Sequence, residues 1–339
     1  MAINISRMFR KLVEPPAYIG WALFAIFLVA GIYYWTGYIS GSLPSVLEDL
    51  MMFIGIALSL AIIMSYTGYV SFGHAVFFGI GGFAVTIAFR SATRGGILSG
   101  IYESSPIDPR IIVLVIGLLL GIGLSVLLAA TVGAAVLRLR GAFFAIATIG
   151  LDYVILYLEA LAGEGGELEF NPGFRGFLQL TYALFLVGFL ITFIIAYLIK
   201  VSKLGYGLAA IREDEDAAEI LGVDTTRYKV YAFVIAAALA ALWGGLFSWR
   251  TTSIGPDNFG LIYSVDMIVM NVIGGLGTFS GPIIGGIIYY AVKRITLVYV
   301  PELAYVIMGI IVVLVVSFFP EGIIGLLIRK MRTLKKYFV

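Results

Sequence analysis

Residues 50–89 read LMMFIGIALSLAIIMSYTGYVSFGHAVFFGIGGFAVTIAF, forty consecutive positions in which His74 is the only side chain able to carry a charge near neutral pH. A continuous helix of that length would reach roughly 60 Å, about twice the hydrocarbon thickness of a bilayer. The run must therefore cross twice, or dip and return. Further uncharged runs lie at 15–47, 111–137, 176–199, 230–249, 267–292 and 303–320, each near the length of a bilayer-spanning helix. The period-2 alternation of barrel strands is absent. The expected fold is an all-α, polytopic membrane helix bundle of about 8–10 transmembrane helices.

Composition points the same way, with 61% hydrophobic and 12% charged residues and a mean hydropathy of +1.05. There is no cysteine and one histidine, which excludes disulfides, thiolate metal sites and multi-histidine centres. The net charge is +2 and the basic residues gather on no soluble face, so nucleic acid is not an expected partner and membrane lipid is. The N-terminus, MAINISRMFRKLVEPPAYIGWALF, is a basic start followed by an apolar run longer than a signal-peptide core, and reads as an uncleaved first helix.

Helices are expected near 17–36, 47–66, 75–90, 111–137, 141–161, 178–199, 229–250, 262–275, 281–298 and 303–320 of a single transmembrane domain covering 1–339. With the N-terminus inside, 15 of the 22 basic residues fall on the cytoplasmic side, as the positive-inside rule requires. This describes a multi-pass protein of the cell (inner) membrane with both termini cytoplasmic. Lys293 and Arg294 are the least comfortable residues on the outer side.

Two places interrupt the apolar runs with residues that suit a helix poorly: TGYVSFGHAVFFGIGG (67–82) and IGGLGTFSGPIIGG (273–286). Superposed, Gly68 meets Gly275, Ser71 meets Thr278, Phe72 meets Phe279 and Gly79 meets Gly286, the outline of a parallel internal repeat. Broken helices at matching positions build substrate paths in many transporters, because unwound backbone is tolerated where it lines a cavity. Ser71, Phe72, Gly73, His74, Gly274, Gly275 and Gly277 are therefore the substrate-pathway candidates. Small residues also let membrane helices pack closely. Among charged groups, Asp152 and Glu159 share a face of the fifth helix, and Asp266 near the outer interface is expected to be solvated.

The stretch 200–229 carries five basic and six acidic side chains, eleven of the chain's 42 charges. Its segment REDEDAAEIL, 212–221, begins with acids suited to a helix N-terminus, and Gly222 follows as a stop. A short helix is expected there, with Ala217, Ala218 and Leu221 spaced to form a small apolar patch bordered by Glu215 and Glu219.

DAAEILG, 216–222, resembles the EAA loop of ABC importer permeases, with Asp216 where that family usually has Glu. The longer AIREDEDAAEILGVDTTRYKVYAFVIAAALAALWGGLFS resembles the LivM-type permeases of branched-chain amino acid ABC importers. TGYVSFGHAVFFGIGGF, LRGAFFAIATIG, VIGGLGTFSGPIIGG and FFPEGIIGLL match in the family's order. The segment Tyr66–Val70 departs from it, since relatives often carry a Gly-Gln pair before the Ser. The resemblance implies a passive subunit without a cofactor of its own, paired with a second related permease. It would be fed by an external binding protein and driven by two ATPase subunits. Glu215, Asp216, Ala217, Ala218, Glu219, Leu221 and Gly222 would form the ATPase-coupling loop.

Related permeases carry urea or short amides, and an ion-coupled secondary transporter using Asp152, Glu159 or His74 would also explain the broken segments, though not the charged loop. An intramembrane enzyme lacks both a metal-ligand cluster and a nucleophile elbow. The chain holds no Gly-x4-Gly-Lys-Ser/Thr phosphate loop, nor any Gly-Lys dipeptide. The purified chain is thus expected to hydrolyse no ATP in a phosphate-release assay, whereas the assembled complex does; hydrolysis by this chain alone would contradict the assignment.

Overall fold

A computed structural model describes residues 17–38, 41–93, 96, 98, 108–162, 166–167, 176–255 and 260–303, with short pieces between 306 and 325; side chains from 154 to 175 lie outside the description. In chain order the helices are α1 (Tyr18–Trp35), α2 (Leu43–Thr67), α3 (His74–Thr93), α4 (Pro109–Val136), α5 (Ala142–Ala162), α6 (Phe177–Lys200), α7 (Lys203–Glu213), α8 (Glu215–Ile220), α9 (Thr225–Thr251), α10 (Leu261–Gly274) and α11 (Gly281–Tyr299). A two-residue antiparallel ladder, β1 (Gly166–Glu167) with β2 (Ser253–Ile254), is the one sheet among the described residues.

Seven helices, α1 to α4, α6, α9 and α11, are long and apolar enough to cross a membrane, and Ala142–Tyr153 of α5 and α10 are shorter apolar helices. The chain is a polytopic membrane helix bundle, and nine of the ten expected segments are helical within a few residues of the expected bounds. The tenth, 303–320, falls largely outside the described residues.

Local chemistry sets the helix ends. Asp108 caps α4 by accepting the Arg110 amide at 3.0 Å, with Pro109 at the first helical position, where a missing N–H costs nothing. Ser202 accepts the Gly205 amide at 3.3 Å to start α7. Asp214 accepts the Ala217 amide at 2.9 Å to start α8, and Asp224 accepts the Arg227 amide at 3.1 Å where α9 begins. The helix expected over 212–221 is therefore two helices: Arg212 and Glu213 end α7, and the extended backbone of Asp214 (φ −161°, ψ 114°) separates them. An Asp that finds a local N–H stabilises this interruption better than a helix interior.

The chain divides into two compact units, Met1–Gly68 with Phe189–Tyr228 and Asp266–Val339, and Tyr69–Gly188 with Lys229–Val265. In the first, α2 is the inner helix, buried at every residue from Met51 to Thr67 except Phe53. α10 and α11 meet backbone to backbone: a Cβ on Gly274 would lie 1.8 Å from the Gly281 carbonyl oxygen, and one on Gly285 1.8 Å from that of Met270. α1 seats Gly20 on the Phe193 ring and packs Phe27 edge-on to Phe189 of α6. Its outer face exposes Ile26, Val29, Ile32 and Trp35, apolar surface that lipid would cover.

In the second unit α3 is the inner helix, and the close approach is again made by glycines. A Cβ on Gly81 would lie 1.9 Å from the Ala241 carbonyl oxygen of α9, and one on Gly244 1.7 Å from that of Phe78. Gly117 and Gly121 of α4 seat on Val85 and Gly81. Trp249, fully buried, packs on Phe89 and Phe177 and donates from its indole to Thr181 Oγ1 at 3.1 Å. Gly244→Leu is therefore expected to lower stability by about 1–3 kcal/mol or more through overpacking. Gly123→Leu, with open space around residue 123, should be neutral. Thermal unfolding in detergent checks both; equal melting would show that the α3–α9 approach is not tight.

Candidate functional site

α2 stops at Thr67 and α3 starts at His74; α10 stops at Gly274 and α11 starts at Gly281. Each break is six residues, and one offset of 207 carries Thr67 onto Gly274 and His74 onto Gly281. The same offset relates the sequence pairs Gly68 to Gly275 and Gly79 to Gly286. Both breaks open on a glycine with positive φ, 79° at Gly68 and 118° at Gly275, a conformation that side chains with a Cβ resist. The two breaks thus match in length and in the glycine that opens them. The breaks are shorter than the expected 67–82 and 273–286, however. Gly79, Gly81 and Gly82 in one, and Gly285 and Gly286 in the other, are helical, and Gly81, Gly82, Gly285 and Gly286 are kept small for packing.

Unwound backbone at membrane depth needs partners inside the protein. In the second unit the Phe72 amide donates to Thr148 Oγ1 of α5 at 3.1 Å, and the Ala75 amide donates to Ser264 Oγ of α10 at 2.8 Å. The Thr148 hydroxyl itself donates to the Ala145 carbonyl at 2.8 Å. In the first unit Thr278 does the equivalent work locally, donating to the Gly275 carbonyl at 2.9 Å and accepting the Gly281 amide at 3.1 Å.

The pathway candidates fall as follows. Ser71 is buried, and its Oγ has no hydrogen-bond partner among the described residues. His74 is buried with its ring edge-on to Phe77, 5.9 Å between centroids. A Cβ on Gly73 would lie 2.5 Å from the Thr148 carbonyl oxygen, so a bulky residue there displaces α5 before it fills any passage. Gly274 packs on Gly281, Gly275 donates its amide to the Asn271 carbonyl at 3.0 Å, and Gly277 (φ 78°) is strained for any other residue. Ser71, Phe72, Gly73 and His74 lie in one unit and Gly274, Gly275 and Gly277 in the other.

Two residues of the first unit were not singled out as site residues. Asn271, fully buried, donates to the Ala57 carbonyl at 3.0 Å and the Met267 carbonyl at 2.9 Å, and accepts from Ser65 Oγ at 3.1 Å. Its signal was visible as a lone amide in the apolar run LIYSVDMIVMNVIGG. Arg212 of α7 donates from Nη1 to the Ser65 carbonyl at 3.3 Å, in the last turn of α2. That nitrogen lies 1.4 Å from where a Cβ on Gly277 would be, and Arg212 Cγ lies 3.6 Å from the corresponding point on Gly68. A cation at a helix C-terminus, supplying a donor to a carbonyl without an intrahelical partner, contributes about 0.3–1 kcal/mol, or up to ~2 kcal/mol when partly buried. In the second unit, buried Lys229 sits 4.5 Å over the Tyr69 ring and donates to its hydroxyl at 3.2 Å.

α8 closes on Gly222 (φ 86°), with the Val223 amide on the Ala218 carbonyl at 3.0 Å and the Gly222 amide on that of Glu219 at 2.9 Å, a Schellman stop. Its inward position is Ala218, only 2% exposed. The expected patch of Ala217, Ala218 and Leu221 is corrected on that point. Ala217 and Asp216 face outward, Glu215 is half-buried, and Ile220 and Leu221 stand 87% and 82% exposed. Glu219 fastens the loop to α9 by accepting Thr225 Oγ1 at 2.7 Å.

Asp266, expected to be solvated, is instead buried, accepting from the Tyr289 hydroxyl and from Lys293 Nζ at 2.6 Å. Arg294 donates to Tyr290 Oη at 3.1 Å. These pairings account for the two cations that sat awkwardly on the outer side. Asp152 is buried, with Oδ1 unpartnered among the described residues; the Glu159 side chain lies outside them.

Residues 42–316 match the family model described as the permease component of the branched-chain amino acid transport system. The chain is 27% identical over 336 residues to the Escherichia coli K12 high-affinity branched-chain amino acid transport system permease protein LivM, covering 89% of this chain and 74% of the relative. It is 31% identical over 143 residues to the corresponding protein LivH of Salmonella typhimurium, covering 42% and 46%. Against BraD of Pseudomonas aeruginosa the identity is 29% over 161 residues, covering 47% and 52%. No solved structure matches the chain.

Thr148→Val strands the Phe72 amide of the first break and Ser264→Ala the Ala75 amide in the first turn of α3, and each is expected to cost about 1–3 kcal/mol. Thr131→Val, exposed on α4, should melt like the parent in detergent. Unchanged melting in all three would show that the break does not depend on these acceptors.

Proposed function

Because the chain belongs to the family of branched-chain amino acid transport system permease components, we propose that it is the membrane permease subunit of an ABC importer, with α8 and its flanking loop docking an ATPase made by another chain. It sits in the cell inner membrane with both termini on the ATPase side and forms part of the path for leucine, isoleucine and valine. A second, related permease completes the membrane part, two ATPase subunits drive it, and an external binding protein delivers substrate. The chain itself catalyses no reaction.

The observation that carries the proposal is the pair Ile220 and Leu221. Two adjacent large aliphatic side chains, the last residue of a six-residue helix and the residue that caps it, stand 87% and 82% exposed beside a segment that carries Asp214, Glu215, Asp216 and Glu219. Apolar anchors presented on a polar rim fit a groove on a protein partner. Similarity to relatives named both LivM and LivH supports a companion of the same family. The missing phosphate loop supports an energy source on other chains.

Replacing Ile220 and Leu221 together with Asp removes both anchors, and a lost interface anchor commonly costs about 2–4 kcal/mol. The variant is expected to insert normally and keep its companion permease, while losing copurifying ATPases and ATP-driven uptake of labelled leucine into vesicles. Arg110→Ala, at the start of α4, serves as the control. Competition by isoleucine and valine but not urea is expected. ATPases retained at wild-type level on the double variant would refute the docking role, and uptake chased by urea rather than valine would refute the substrate.

A further inference from the structure

We propose that Arg212 is a positioning residue that transmits the movement of the docking loop to the end of α2 and to the second helix break, a role that rests on α8 being the ATPase contact. One guanidinium reaches the end of α2 through the Ser65 carbonyl at 3.3 Å and occupies the turn after α10, 1.4 Å from the place of a Cβ on Gly277. Its stem passes Gly68, the first residue of the first break, at 3.6 Å. Three elements of one unit, α7, α2 and the 275–280 turn, therefore meet on a single side chain.

The placement along the chain fits a link. Arg212 lies in the last turn of α7, two residues before Asp214, whose side chain starts α8. A displacement of α8 therefore acts on Arg212 through a very short connection. The residue as a whole is exposed, so it fills no core, and water would serve the Ser65 carbonyl as well if fastening alone were required. The seat also imposes a demand on another part of the chain, since only glycine leaves room at 277 and only glycine accepts its φ of 78° freely. A planar guanidinium that donates in a fork suits a carbonyl beside a bare turn, whereas a lysine ammonium offers a single point charge.

The test uses the assembled transporter carrying Arg212→Ala, Arg212→Lys, Gly277→Ala or the double Arg212→Ala/Gly277→Ala. Each is read by copurification of the ATPases, ATP hydrolysis, leucine uptake and thiol labelling of Ser280→Cys. The chain has no native cysteine and Ser280 is buried in the second break, so labelling reports that break whatever the substrate is. Arg212→Ala is expected to keep its ATPases and hydrolyse ATP. Its ATP-dependent change in labelling and its uptake should each fall about tenfold, within the range of ordinary site-to-site coupling. Gly277→Ala should do the same, the double variant should be no worse than Gly277→Ala alone, and Arg212→Lys should recover part of the loss.

The proposal is overturned if Arg212→Ala keeps ATP-dependent labelling and uptake, or if it loses the ATPases, which would make Arg212 a docking residue. Additive losses in the double variant, or parent labelling that ignores ATP, overturn it as well. If Arg212→Ala does not accumulate, Gly277→Ala and Arg212→Lys decide by the same criteria. Failure of the docking role itself is read separately, by ATPases that stay bound to the Ile220/Leu221 variant.

Discussion

Every backbone amide and carbonyl that leaves a helix inside the bilayer must find a partner in the protein, because hydrocarbon offers none. An unpaired peptide group there costs several kcal/mol. Two six-residue breaks place that demand on this chain twice, and the surrounding helices are arranged to meet it. Thr148 supplies an acceptor to the first break and Ser264 one to the first turn of α3 that follows it, Thr278 bridges both ends of the second, and Asn271 braces α10 against α2.

Glycine has two uses here that composition does not separate. At Gly68, Gly275 and Gly277 it supplies positive φ; at Gly81, Gly244, Gly274 and Gly285 it lets one backbone touch another. The second use lets α3 meet α9, and α10 meet α11, at distances no side chain would allow. The helices flanking the breaks are therefore packed tightly while the breaks are unwound. Arg212 and Lys229, two of the five cations of the charged loop, reach Ser65 and Tyr69, residues that flank the Thr67–Gly68 stop in sequence.

The spans were legible because uncharged runs of bilayer length admit little else, and both breaks because Gly, Ser and Pro cluster inside such runs. Their lengths were not, since a packing glycine such as Gly81 reads like an unwinding one until its neighbour is known. Spacing placed Ala217, Ala218 and Leu221 on one face, but of the three only Ala218 turns inward, which depends on how α8 packs and not on spacing. Hydropathy left Asp266 solvated because its partner, Lys293, is 27 residues away. Arg212 was hidden among charges for the same reason: its seat, Gly277, is distant in sequence and carries no side chain to announce it.

The central claim is that α8 presents Ile220 and Leu221, and withholds Ala218, at a contact with an ATPase subunit. With no native cysteine in the chain, single replacements Ile220→Cys, Leu221→Cys and Ala218→Cys permit a footprint by maleimide labelling with and without the ATPases. The account predicts fast labelling at 220 and 221 in the free permease, strong protection there on assembly, and slow labelling at 218 in both states. Labelling at 220 and 221 that is indifferent to the ATPases would contradict it.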